Sequence, residues 1–348
     1  MATKSKSPAF DPNAAAAPGA GVFGLPFSRE QSRVVILPVP FDATTSYKPG
    51  TAAGPEVVFE ASMQVDLYDR RFGRVYERGL YWQKENPAIR RLSREAARAA
   101  RPVIAAGGAD PKNARHRTAC AKVNSACEKV NAFVEKHTRA VLDEGKIPGL
   151  VGGEHSVPYG AIKAVAERYP GVGILHIDAH MDCRDAFEGF AWSHASILHN
   201  VLSRVPGVGK VVQVGIRDFS EGELEFARSQ GDRVVTHFDD AWGEEMLRGR
   251  PFSELARLAV EVLPRTVYLS FDIDALDPSL CPSTGTPVPG GLSFNQAVVL
   301  LDTLKQSGRR VVGFDLVEVA PGPKGGPEID SITGARVLYK LCGVVDPG

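Results

Sequence analysis

Three stretches gather the residue types that hold cations: "GLVGGEHS" at 149–156, "ILHIDAHMDCRD" at 174–185 and "VYLSFDIDALDP" at 267–278. Each begins as an apolar run and ends in clustered carboxylate or imidazole groups. In extended chain, side chains alternate between faces, so Asp178, His180 and Asp182 share one side, as do Asp272 and Asp274. Carboxylates buried together repel and lose hydration, and they take up protons unless a cation compensates them. With His155 the set is four aspartates and two histidines, enough donors for two metal ions bridged by shared carboxylates. Imidazole and carboxylate without thiolate suit Mn, Fe, Co, Ni or Zn, whereas Ca and Mg favour all-oxygen sets. One Asp-x-His at a strand end reads equally well as a capped turn; three strand ends with complementary donors do not.

The elements that must position these groups follow a regular alternation. Short β-branched runs at 34–38, 148–151, 172–178, 210–215, 233–237, 266–272 and 310–316 predict strands. Helical periodicity predicts helices near 55–64, 122–144, 157–168, 194–203, 220–229, 252–263, 293–307 and 329–341. Such alternation implies a parallel sheet covered on both faces, with the working site beyond the carboxyl ends of its strands. Residues 1–30, rich in Ala, Pro, Gly and Ser, are expected to form a flexible arm, and 31–348 a single domain with an irregular insertion around 84–120. The basic block "RRLSREAARAARP" in that insertion lacks aromatic residues and reads as a solvated helix face rather than a nucleic-acid patch.

Bulk properties narrow the function classes. Lys plus Arg and Asp plus Glu each number 41 in 348 residues, so no overall field draws the chain to nucleic acid or to an acidic membrane. No apolar stretch approaches the ~20 residues of a membrane span, and the N-terminus lacks a secretory core. Five cysteines without CxxC spacing argue against a disulfide framework and point to a reducing, cytoplasmic setting.

"GGEHS", "DAHMDCRD" and "SFDIDALDPSLCPSTGTPVPGG" resemble the three signature motifs of the arginase/agmatinase (ureohydrolase) family, and "GFDLVEVAP" (313–321) resembles its fourth. The resemblance runs from about Val34 to the C-terminus and is weakest across 70–120. It implies an α/β three-layer α/β/α sandwich with a central, mostly parallel sheet, and two Mn2+ ions that support hydrolysis of a guanidino group to urea and an amine. By this resemblance His155, Asp178, Asp182 and Asp272 hold one ion, and Asp178, His180, Asp272 and Asp274 the other, with Asp178 and Asp272 as bridges. Homo-oligomers, trimers or hexamers, are a further implication of the family.

The chemistry of the residues is consistent with that reaction. A guanidinium carbon is a poor electrophile, and two ions ~3.5–4 Å apart lower the pKa of a shared water towards neutrality without a protein base. The departing amine needs a proton, and "FAWSHASILHN" offers His194 and His199. The resemblance selects His194, through its "SHA" context, as the proton shuttle and leaves His199 structural. Glu318 resembles the family's substrate carboxylate, able to pair with a guanidinium through parallel hydrogen bonds. His176 shares the face of Asp178 but lies ~7 Å further back, and reads as a buried, hydrogen-bonded group. Asp315, of opposite parity to Glu318, reads as structural.

Two positions depart from the family pattern: Glu154 where Asp is usual, and Ser283 where Gly is usual. The first lengthens the arm beside His155, and the second matters if the loop needs positive φ. "DCRDAFEGFAWSHAS" is closer to the agmatinase branch than to arginase, so the expected reaction is agmatine to putrescine plus urea. Arg184 either meets an anionic substrate tail or pairs with Asp185. Guanidinobutanoate, guanidinopropanoate, arginine, free guanidine and formimidoylglutamate are alternative substrates. A one-metal amide deacetylase of related fold and a non-catalytic metal-binding subunit are alternative roles.

Overall fold

The computed structural model describes residues 10–324 and 328–345. Its strands are β1 (Val34–Val39), β2 (Leu80–Trp82), β3 (Ile147–Gly152), β4 (Val172–Ile177), β5 (Val208–Ile216), β6 (Val234–Phe238), β7 (Thr266–Asp272) and β8 (Arg310–Val317). They form one all-parallel sheet in the order β2-β1-β3-β8-β7-β4-β5-β6. The helices are α1 (Gly54–Ser62), α2 (Pro87–Ile104), α3 (Ala114–Asp143), α4 (Tyr159–Arg168), α5 (Ile197–Arg204), α6 (Glu221–Ser229), α7 (Asp239–Leu247), α8 (Phe252–Glu261), α9 (Phe294–Gln306) and α10 (Ile329–Val344).

Parallel strands need crossovers, and the crossover helices cover both faces of the sheet, which is why β4 and β8 are apolar on both sides. Along β4, Leu175 and Ile177 enter one core with Leu255 of α8, Leu300 of α9 and Leu338 of α10. Val172 and Ile174 enter the other, with Val130 of α3, Ile162 of α4 and Leu198 of α5. Two cores on opposite faces of one sheet make the three-layer sandwich. Among the described residues no helix is long and apolar enough to cross a membrane, and all five cysteines are free thiols.

Two expectations fail locally. The segment expected to be irregular around 84–120 contains α2 and the start of α3. Asn86 caps α2 by accepting from the Ala88 amide, and Ile89, Ser93, Ala96, Ala100 and Val103 form its buried stripe. Ser93, Ala96 and Ala100 are small, so the helix is polar on average although strongly one-sided, and the arginines occupy the solvated side that the basic block suggested. In the arm, residues 1–9 lie outside the described residues, but Val22, Phe23 and Leu25 are 0–3% exposed. The Phe23 ring packs edge-on against Tyr339 at 4.8 Å, and its amide donates to Ser62 Oγ. A few large apolar groups order a segment whose average composition favours disorder. β2, three residues long, is too short to show a period, and α7 buries only Trp242, so it has no apolar stripe to read.

Candidate active site

Four adjacent strands deliver the site. β3, β8, β7 and β4 lie side by side. His155 follows β3, Glu318 directly follows β8, Asp272 ends β7 and Asp178 directly follows β4. Strands far apart in sequence are neighbours here, so their carboxyl ends meet.

The donors form two groups that share Asp178. His155 Nδ1 lies 2.9 Å from Asp178 Oδ2, 3.1 Å from Asp272 Oδ2 and 3.2 Å from Asp182 Oδ2. His180 Nδ1 lies 3.1 Å from Asp274 Oδ2 and 3.6 Å from Asp178 Oδ1. His155, Asp178, Asp182, Asp272 and Asp274 are buried, and His180 is half-buried. All six expected ligands therefore converge, although not by strand alternation. β4 ends at Ile177; Asp178 Oδ1 accepts from the His180 amide at 2.6 Å, and Asp182 takes a left-handed backbone with φ 53°. Asp272 likewise accepts from the Asp274 amide at 2.9 Å as the chain leaves β7 in a 3-10 turn.

A cation fits this set. His155 Nδ1 and Asp178 Oδ2 are buried without a hydrogen-bond partner among the described residues, yet they stand 2.9 Å apart. Such orphaned atoms are rare, and nitrogen and oxygen donors around shared carboxylates suit a divalent transition ion. The protonation tendencies agree. Burial, then Asp178, pushes Asp182 up to about 6. Burial, then Asp274 and Asp178, pushes Asp272 well above the carboxylate range. Burial opposes the charge on His155, but the surrounding aspartates hold its imidazole well above the usual value. Acids and imidazoles competing for protons is what a bound cation relieves.

The surrounding residues hold the donors in place. Glu154, the longer arm beside His155, accepts from the Thr44 amide at 2.7 Å and from Ser156 Oγ at 2.7 Å. Thr44 Oγ1 in turn accepts from the His194 amide at 3.0 Å and lies 3.3 Å from His194 Nδ1. One carboxylate thus links the His155 loop to His194. Burial, then His180, pushes the His194 imidazole down to about 4. Glu318 has φ 62°, accepts from the His155 amide at 2.8 Å through Oε1 and leaves Oε2 beside Gly285. Ser283 has no positive φ, so the usual glycine is not needed there; its amide donates to Asp330.

The other residues singled out by motif context separate from the cluster. The Arg184 guanidinium pairs with Glu223, not Asp185, at 3.3 Å and lies 4.7 Å over the Phe187 ring. His199 packs at a tilt against Phe226, ring centroids 4.3 Å apart, and stands 3.7 Å from Asp185. Asp315 has the supporting role that its parity suggested, while two further contributors, Thr44 and Arg217, have no legible signal in the sequence. Asp315 accepts from Ser270 Oγ, which lies 2.9 Å from His155 Nε2. Thr44 holds His194. Arg217, just past β5, donates to the carbonyls of Gly215, Asp274, Leu276 and Val288, fixing the backbone that carries Asp274. For His176 only its parity with Asp178 is visible in the sequence, and its Nε2 stands 3.0 Å from Asp178 Oδ2.

A family model described as the arginase family matches residues 32–343. The chain belongs to the arginase family. An N(1)-aminopropylagmatine ureohydrolase of Thermus thermophilus is 33% identical over 318 residues, covering 90% of this chain and 91% of the relative. An agmatinase of Bacillus anthracis is 32% identical over 298 residues, covering 84% of this chain and 86% of that one. Among solved structures, the proclavaminate amidino hydrolase of Streptomyces clavuligerus superimposes with a TM-score of 0.71 at 26% identity, covering 95% of this chain and 98% of that one. The agmatine ureohydrolase of Thermoplasma volcanium gives 0.68 at 25% identity, covering 91% of each chain. This arginase-family member is therefore a hydrolase on the same eight-stranded framework, with a His/Asp cluster suited to metal at its strand ends.

Proposed function

We propose that the protein hydrolyses the guanidino group of an agmatine-type alkylamine, releasing urea and the free amine, with two divalent cations, manganese first among them. His155, Asp178, Asp182 and Asp272 would hold one cation, and Asp178, His180, Asp272 and Asp274 the other. The observation that carries the reading is the pair of donor groups sharing Asp178 through its two oxygens. When bound, the cation pair neutralises the carboxylates and acidifies water towards a usable nucleophile.

Side chains do the remainder. Glu318 receives the guanidinium; Oε1 is anchored on the His155 amide, so Oε2 is the freer oxygen for charge-assisted pairing. Its carboxyl is held well above the usual range by burial and then Glu154, and an arriving cation reverses that. His194 is anchored through Nδ1 by hydroxyls of Thr44 and Ser193, leaving Nε2 to take a proton from water and pass it to the departing nitrogen. An imidazole pushed down to about 4 is neutral at pH 7, and once protonated it gives the proton up readily to the departing nitrogen. Arg184, already paired with Glu223, favours a tail without a carboxylate. The relatives named for agmatine and N(1)-aminopropylagmatine support the same substrate class. Assembly as a trimer or hexamer in the cytoplasm belongs to the proposal through the family resemblance, and light scattering measures the assembly.

The test is urea release from agmatine, N(1)-aminopropylagmatine, arginine, guanidinobutanoate, guanidinopropanoate and guanidine by manganese-loaded protein, with formamide release from formimidoylglutamate measured alongside. Turnover highest with the two agmatine-type amines is expected. Preference for a carboxylate-tailed substrate overturns the substrate class, and silence across the panel favours a non-catalytic metal-binding subunit.

A further inference from the structure

Two histidines flank Asp178 Oδ2, and their outer contacts orient them oppositely. His155 Nε2 stands 2.9 Å from Ser270 Oγ, and that hydroxyl donates to Asp315 Oδ1 at 2.9 Å. A hydroxyl has one proton, so with it directed to Asp315 the oxygen accepts from His155 Nε2–H. Nδ1 then faces Asp178, Asp182 and Asp272 with its lone pair, the arrangement of a metal-ligating imidazole whose outer N–H is anchored.

His176 is turned the other way. The amide nitrogen of Gln213 lies 2.9 Å from Met181 O and 3.4 Å from His176 Nδ1, while Thr236 Oγ1 donates to Gln213 Oε1 at 2.8 Å. A main-chain carbonyl carries no proton, so the Gln213 group facing Met181 O is its NH2, and the second N–H is available to His176 Nδ1. Nδ1 therefore accepts, and in the neutral ring the proton sits on Nε2. That atom is 3.0 Å from Asp178 Oδ2, and neither atom has another hydrogen-bond partner among the described residues. A nitrogen bearing a proton has no lone pair for a metal. The three residues are register partners across adjacent strands, His176 on β4, Gln213 on β5 and Thr236 on β6, so the sheet itself builds the chain of contacts.

We propose that His176 is a positioning residue outside the metal set: Gln213 fixes its tautomer, so that it turns an N–H rather than a lone pair on the Asp178 oxygen that His155 also faces. This rests on the metal-centre reading above. Asp178 serves both donor groups, so orienting its carboxylate orients the bridge between them.

Two measurements test it. In the chelated full-length chain labelled with 15N-histidine, long-range 1H–15N correlation reads the His176 tautomer, identified by the signal missing from His176→Gln. Nε2–H is expected, and Nδ1–H overturns the proposal. In the cobalt-loaded protein, His176→Gln keeps a side-chain N–H near the same point and His176→Leu removes it. Both variants are expected to bind as many cobalt ions as wild type with unchanged ligand-field bands. Affinity measured by chelator competition should fall about 10–100-fold in His176→Leu and stay near wild type in His176→Gln. Loss of an ion, or bands displaced as in His155→Gln, makes His176 a ligand; wild-type affinity in His176→Leu makes it core filling. If wild type itself binds no cobalt, the metal-centre reading fails, while the tautomer measurement still judges the Gln213 relay.

Discussion

Asp182→Asn separates the role of the cluster in folding from its role in holding metal. Asp182 is buried, and burial, then Asp178, pushes it from 3.8 up to about 6. An acid whose folded pKa is raised gives stability that is present below the unfolded value and lost as pH rises through the folded one. The window is therefore about pH 4 to 6. Raising the carboxyl from 3.8 to about 6 corresponds to about 3 kcal/mol lost above pH 7 when no cation is bound. Asn is nearly isosteric, never ionises and tolerates the left-handed backbone at φ 53°. In excess chelator at pH 7.5, Asp182→Asn should thus be more stable than wild type by about 3 kcal/mol, falling to about 1 kcal/mol at pH 4.5, where the folded carboxyl is already protonated. With Mn2+ at about 1,000-fold excess over Kd the order should invert, because binding to the native state then stabilises wild type by about 4.1 kcal/mol, more than the lead of about 3 kcal/mol, and the variant lacks a ligand. Urea unfolding followed by circular dichroism, with and without metal at both pH values, is the assay. No gain in chelator at pH 7.5, or a gain undiminished at pH 4.5, refutes the reasoning.

Further outcomes follow from other contacts. His194→Ala should keep the wild-type metal content by elemental analysis and lose about 10²–10⁴-fold in kcat; lost metal would mean that His194 is a ligand. Arg217→Met leaves the carbonyls of Asp274 and Leu276 without their shared donor, and an unsatisfied buried group costs about 1–3 kcal/mol. Unfolding should shift by that amount and metal content should fall as Asp274 loses its place; unchanged metal content refutes the positioning role. Phe23→Ala removes a ring packed 4.8 Å from Tyr339 and should destabilise by about 3–5 kcal/mol, measured by urea unfolding, whereas a mobile arm would give almost no change.

Much of the site is legible in the sequence because its donors stand next to apolar strand runs, and a carboxylate at the end of a buried strand is conspicuous. Alternation reaches the right residues by an imperfect route: Asp178, His180 and Asp182 lie beyond β4 in a turn that uses a left-handed aspartate. Asp315 has the wrong parity to face the site with Glu318, yet it anchors Ser270 behind His155. The solvated side of α2 is legible in its arginines, whereas its buried stripe, with Ser93, Ala96 and Ala100 between Ile89 and Val103, gives no apolar run that marks the segment as regular. Phe23 is hidden because composition averages over a window, whereas burial is decided residue by residue.

The sequence by itself carried most of the element types, the parallel class of the sheet and the six candidate donors, since these follow from local periodicity and from the chemistry of side chains within a few residues of one another. Only the tertiary structure decided that β3, β8, β7 and β4 are neighbours, that Arg184 turns to Glu223, and that Gln213 and Ser270 orient the two imidazoles beside Asp178 oppositely. Those are relations between residues distant in the chain. Strand order and hydrogen-bond geometry set them, and neither is written in any local window.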